Sequence, residues 1–255
     1  MNLADKVVIV TGAGGGIGSA TAQRLARAGA SVTCVDIDGE AADRTAKAVT
    51  DTGGEALALG LDISTEADNE TMVEETVRTF GHLDALHANA AIQRMGQLAD
   101  SPTEDWEALF RVNLLGASLG IKKALPHLID NGGGSVVITA SLLALVGDQD
   151  MPAYGAMKGG LIALSKSLAT AHGPDNVRVN TICPGDVLTP MVEEFFESQP
   201  DPAEARQRIA DAYPLRRFAM PEDVANLVAF LVSDDASYLT GIDIPLDGGL
   251  LARIY

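Results

Sequence analysis

The sequence predicts one doubly wound α/β domain, a Rossmann-type parallel sheet of about seven strands with helices on both faces. Three observations predict it: short β-branched runs alternate with stretches of helical period, no repeat or linker divides the chain, and the apolar content suffices for one large core. Strands are expected at Val7–Thr11, Ser31–Asp36, Glu55–Gly60, Ala85–His87, Ser135–Ala140, Val177–Cys183 and Ile242–Leu246. Helical spacing is clearest over Ile17–Ala28, where Ile17, Ala20, Leu25 and Ala28 share a face, and over Tyr154–Ala171. Asn131–Gly134 is too short for a linker and reads as a helix stop before a strand. A single domain is therefore expected over 1–255, with an irregular substrate lid at 186–214 that is rich in Pro, Phe and acidic residues.

Composition narrows the partners. A formal charge of -17 repels phosphate backbones and anionic membrane surfaces, so neither nucleic acid nor membrane is expected. No apolar run reaches the roughly 20 residues of a membrane helix, and MNLADK runs straight into VVIV without a signal-peptide pattern, so a cytoplasmic location is expected. Cys34 and Cys183 lie far apart in apolar, strand-like runs and read as free buried thiols. His82, His87, His127 and His172 show no ligand spacing, and no metal is expected. Glu193, Glu194 and Glu197 read as a solvated helix face.

The first strand ends in TGAGGGIG and opens directly into a helix at Ile17. Gly12, Gly16 and Gly18 let the backbone turn and approach a pyrophosphate, while the helix start offers free N–H groups and a positive dipole end. Asp36 closes the second strand about 20 residues on, placed to accept from the ribose hydroxyls of an adenosine. A 2′-phosphate is repelled there, and the neighbouring Ala13 and Ile37 are not basic, so NAD is favoured over NADP. Asp62 and Ile63, at the third strand's end, are placed to flank the adenine. A methyltransferase using an adenosyl cofactor competes at this point, because the loop alone does not exclude it.

Ser141, Tyr154 and Lys158 decide the chemistry. In YGAMK the tyrosine and lysine stand at i and i+4, hence on one helix face. A free phenol titrates near ~10, and a neighbouring ammonium lowers that value toward the range where it exchanges protons. Ser141 ends the fifth strand at the carboxyl edge of the sheet, where its hydroxyl can hold a substrate oxygen.

With these motifs the chain resembles the short-chain dehydrogenase/reductase family from Lys6 to about Leu250, through TGAGGGIG, Asp62-Ile63, HANAAI, FRVNLLG, Ser141, YGAMK and PGDVLTP in the family's order. The resemblance implies that Tyr154 is the acid/base, that Lys158 holds the nicotinamide ribose and lowers the Tyr154 pKa, and that Ser141 orients the reacting oxygen. It implies that Asn113 anchors a water in a proton relay to Lys158, and that Asn89 and Ala90 form the loop beside the cofactor. Pro184, Gly185, Val187 and Thr189 resemble the nicotinamide carboxamide contact. A homotetramer is implied, joined by the helices around Trp106–Leu128 and Tyr154–Ala171. Ala88, Ala91 and Met157 depart from the family's usual Asn, Gly and small residue without removing a reacting group.

The expected activity is hydride transfer between NAD(H) and a small-molecule alcohol or ketone. A 3-oxoacyl reductase acting on an acyl carrier protein shares the motifs, but an acidic carrier docks on basic residues and this chain is acidic. A non-catalytic NAD(H) sensor has no use for the three reacting residues. After Ser141 come Leu142, Leu143, Ala144, Leu145 and Val146, and Met151 precedes Tyr154. With Met191, Phe195 and Phe196 from the lid, they predict an apolar pocket in which Leu143 touches a neutral, mostly hydrocarbon secondary alcohol.

Overall fold

All seven expected strands form, each within one residue of its expected bounds. They are β1 (Val7–Thr11), β2 (Ser31–Asp36), β3 (Ala56–Gly60), β4 (Ala85–Ala88), β5 (Gly134–Thr139), β6 (Val177–Pro184) and β7 (Asp243–Leu246). The computed structural model describes residues 1–197 and 199–253, excepting the side chains of Met191 and Glu194. All strand pairs are parallel, in the order β3-β2-β1-β4-β5-β6-β7. β1 is buried along its whole length, as a strand covered on both faces must be.

Helices cover both faces. α1 (Gly16–Arg27), α2 (Gly39–Thr50) and α9 (Pro221–Val232) close one core with Leu25, Ala46 and Val228. α3 (Glu66–Phe80), α5 (Ala117–Asp130) and α6 (Pro152–His172) close the other with Met72, Ile121 and Leu161. α4 (Thr103–Leu109) runs into α5 through a π-helical stretch at Phe110–Gly116. Such wide turns inside helices recur at functional sites, and this one contains Asn113. Among the described residues no helix is long and apolar enough to cross a membrane.

The segment expected to be irregular is largely helical: it holds α7 (Pro190–Glu197) and α8 (Pro202–Ala212). Its prolines and acids, taken above as loop composition, are helix-start signals. Each helix opens on a proline, and Asp201 caps α8 by accepting from the Glu204 N–H at 3.0 Å. Glu193 is not simply solvated; it pairs with Arg206 and so ties α7 to α8. Both cysteines are free and buried.

Candidate active site

The strand order reverses between β1 and β4, which opens a crevice at the carboxyl ends of the strands. The glycine loop lines it: at Gly12, Gly14 and Gly18 no side chain fits against the protein's own atoms, whereas Gly15 faces open space. A Cβ on Gly18 would stand 2.0 Å from the Gly12 carbonyl oxygen, and one on Gly12, at φ +66°, would stand 2.8 Å from the Ala90 Cα. Gly16 (φ +51°) lies under the Thr189 side chain, 3.1 Å from where its Cβ would be. No side chain caps α1 and its first turn has no acidic residue, so its positive end stays unneutralised. Thr11 and Asn89 fasten the crevice floor: the Asn89 amide donates to the Thr11 carbonyl at 3.0 Å, and the Asn89 and Ala90 N–H groups donate to Thr11 Oγ1 at 3.0 and 3.2 Å.

Asp36 is held in place, accepting from the Gly14 N–H at 2.8 Å and the Asp38 N–H at 3.0 Å. Asp62 accepts from the Ser64 N–H at 2.9 Å at the end of the same crevice. Ile63 departs from expectation. Its side chain is 9% exposed and packs into the core over Gly116, so any contact it makes with an adenine runs through its backbone. Clearances that admit only glycine, an uncapped helix start and a fixed carboxylate together fit a pyrophosphate and a ribose.

Lys158 is 1% exposed and donates to the Thr139 carbonyl at 2.7 Å, with its Nζ 5.6 Å from the centre of the Tyr154 ring. Burial brings the lysine down to about 8 and pushes the Tyr154 phenol up to about 12, opposed by a hydrogen bond with Ser141. The expected lowering of Tyr154 by Lys158 does not appear: desolvation of the phenol dominates, and only the Ser141 hydrogen bond opposes it. Thr139, which the sequence reading did not single out, also pairs through its hydroxyl with His87 Nε2 at 2.8 Å. His87 is wholly buried, and burial takes it to about 3, so it stays neutral. Asn113 is buried with its amide paired to Ile92: Oδ1 accepts from the Ile92 N–H at 2.8 Å and Nδ2 donates to the Ile92 carbonyl at 2.9 Å.

Ser141 and Tyr154 open onto one cavity of about 380 Å³ that also reaches Ile17, Pro184, Val187 and Thr189. Leu142, Leu143, Val146 and Met151 form part of its wall as expected, Leu142 at only 6% exposure. Phe196 does not close the cavity. It is 1% exposed and packs edge-on against Phe195 and Phe218, with ring centres at 5.5 and 5.3 Å, beneath Arg206. Val192 and Leu250 stand at the wall instead; the Met191 side chain lies outside the described residues. The sequence reading missed the polar wall of Gln93, Asp148, Asp186 and Tyr213, although the acid in PGDVLTP was a visible signal. Burial raises the Asp186 carboxyl above its ordinary value, Asp148 adds to the rise, and the Tyr213 hydrogen bond opposes it. No group of three or more metal-ligating side chains occurs among the described residues.

Comparison with known proteins places this geometry among enzymes. A family profile described as enoyl-(acyl carrier protein) reductase matches residues 12–251. The chain is 38% identical to meso-2,3-butanediol dehydrogenase of Serratia marcescens over 252 residues, covering 99% of this chain and 97% of that one. The crystal structure of levodione reductase superposes with a TM-score of 0.96 at 35% identity, covering both chains fully (100% of each). NAD+-bound xylitol dehydrogenase superposes with a TM-score of 0.93 at 34% identity, over 98% of this chain and 100% of that one.

Proposed function

This chain belongs to the short-chain dehydrogenase/reductase family and is an oxidoreductase, and we propose that it moves a hydride between NAD(H) and a neutral, mostly apolar secondary alcohol or its ketone. One observation carries the reading: Ser141 and Tyr154 share a cavity with buried Lys158 behind them, beside a crevice whose glycines leave room for a dinucleotide. In that crevice Gly12, Gly16, Ile17 and Gly18 hold the pyrophosphate, Asp36 the adenosine ribose, and Asp62 with the Ile63 backbone the adenine. Asn89 and Ala90 form its floor. Lys158 takes the second ribose with the donors not used by Thr139. Pro184, Gly185, Val187 and Thr189 meet the carboxamide. The bound nicotinamide supplies or accepts the hydride.

The protein's own part is the proton. The Ser141 hydroxyl donates to the reacting oxygen and orients it toward Tyr154. In oxidation the Tyr154 phenolate takes the alcohol proton; in reduction the phenol returns it. The Asn113 side chain is held by Ile92, and the residue anchors a relay water toward Lys158. NAD is preferred because the fixed Asp36 charge opposes a 2′-phosphate, with Ala13 buried and Ile37 apolar beside it.

The segment 186–214 serves as the lid, and four copies associate through the 106–128 and 154–171 helices, the first of which leaves Phe110 45% exposed. The 3-oxoacyl reductase reading is weakened by a cavity whose wall has no Lys or Arg among the described residues. A panel of secondary alcohols and ketones followed by NADH absorbance tests the assignment; turnover confined to NADP, to hydroxy acids or to carrier thioesters would overturn it.

A further inference from the structure

The polar wall of the cavity carries information about the substrate that the apolar wall does not. Asp186, two residues beyond β6, and Tyr213, just past α8, are locked to each other: the Tyr213 hydroxyl donates to Asp186 Oδ2 at 2.8 Å and accepts from the Asp186 N–H at 2.9 Å. Tyr213 is 4% exposed, so the ring is a fixed post rather than a surface side chain. Room for it is built in, since a Cβ on Gly185 would stand 2.8 Å from the tyrosine oxygen. The pair holds the carboxylate in one orientation on the wall of the same cavity as Ser141 and Tyr154.

The second carboxylate oxygen, Oδ1, has no hydrogen-bond partner among the described residues, and Asp186 is exposed. An accessible, fixed acceptor on the wall of the reacting groups' cavity selects ligands by what they can donate. Asp148 stands on the same wall and adds negative charge, so an anionic substituent is repelled. An apolar wall of Leu143, Val146 and Met151 takes the hydrocarbon part.

We propose that Asp186, oriented by Tyr213, is a specificity-determining residue: it accepts a hydrogen bond from a second hydroxyl beside the carbinol, making the substrate class a vicinal diol or α-hydroxy ketone with an apolar body. This rests on the secondary-alcohol reading above and refines it. A fixed acceptor discriminates against the analogue lacking a second hydroxyl, because that ligand displaces water from the carboxylate without donating a hydrogen bond in return.

The test uses four compounds with one carbon skeleton: cyclohexanol, cyclohexane-1,2-diol, 2-methoxycyclohexanol and 2-aminocyclohexanol. The diol should exceed cyclohexanol in kcat/KM by at least about tenfold, and the methoxy compound, which has the bulk but no second donor, should not. Asp186→Leu should bring the diol-to-cyclohexanol ratio close to one. Tyr213→Phe, which frees the carboxylate without removing it, should raise KM for the diol far more than it lowers kcat. Calorimetric titration of the Tyr154→Phe variant loaded with NAD reads the same preference as a ratio of Kd values, so the outcome does not depend on turnover. Equal binding of diol and cyclohexanol overturns the role of Asp186, as does a methoxy compound as good as the diol. Preference for the amine over the diol overturns it in favour of a cation site. If cyclohexanol and the diol turn over equally well, only the Asp186 role is lost. Diol-selective binding in an enzyme that reduces no cofactor would instead keep Asp186 and refute the proposed activity.

Discussion

The crevice between β1 and β4 and the cavity beyond β5 and β6 meet at Tyr154, yet they are built differently. The crevice is made of backbone: glycines with no room for a Cβ, an uncapped helix start, and main-chain groups fastened by Thr11 and Asn89. The cavity is made of side chains brought from far apart in the sequence, such as Gln93, Leu143, Tyr213 and Leu250. A shared cofactor calls for a fixed shape, which a local motif encodes. A particular substrate calls for a wall that changes from one relative to another, which side chains from separate loops supply.

The largest effect on that comparison should come from Lys158, which belongs to both halves. Lys158→Met should lower turnover by at least about 100-fold and weaken NAD binding as well. It should also stabilise the protein near neutral pH. Burial lowers the lysine from 10.5 to about 8, so the folded state binds fewer protons than the unfolded state between those values. Stability from this group is thus fully present only above about pH 10.5 and is lost as pH falls through about 8. Thermal melts should show the methionine variant gaining a few degrees at pH 7 and less at pH 10; a loss at pH 7 would mean that the ammonium holds the fold together.

Two glycines separate shape from smallness. Alanine favours a helix over glycine by about 1 kcal/mol, so Gly159→Ala in α6, where the nearest atom to a Cβ is 3.9 Å away, should stabilise slightly. Gly18→Ala in α1 should do the reverse, costing about 1 to 3 kcal/mol and most of the cofactor affinity, because its Cβ meets a carbonyl oxygen. Denaturant melts and NADH fluorescence titration read both. Similar behaviour of the two variants would remove the claim that the crevice depends on close backbone approach.

The smallest expected effect is at Asp36. Asp36→Ala should narrow the NAD-to-NADP affinity ratio by about tenfold, weakening NAD while admitting the phosphate. Since Asp36 also accepts from Gly14, some loss of NAD affinity will come from the loop itself.

This division also explains how much was legible in advance. β1 to β7 and the glycine loop follow from local pattern, and so do the placements of Ser141, Tyr154 and Lys158. The helices of segment 186–214 were not legible because Pro190, Pro202 and Asp201 serve loops and helix starts alike, and only the continuing helical period separates the two. Ile63 and Phe196 were assigned to ligands on residue type, but apolar side chains go where the core has room, and theirs is inside. Asp186 and Tyr213 lie 27 positions apart, so neither alone signals that they form one unit.

The central claim is that Tyr154 moves the proton and contributes little to holding the cofactor. It is tested by comparing wild type with Tyr154→Phe for NAD affinity and for alcohol oxidation between about pH 7 and 9. Oxidation consumes the phenolate, and burial pushes the phenol up to about 12, so the wild-type rate should climb with pH across that range while ketone reduction, which uses the phenol, should not. The variant should bind NAD with an unchanged Kd and oxidise alcohol at least about 100-fold more slowly, without the climb. A variant that retains near-normal turnover, or the same rise with pH, would contradict the account.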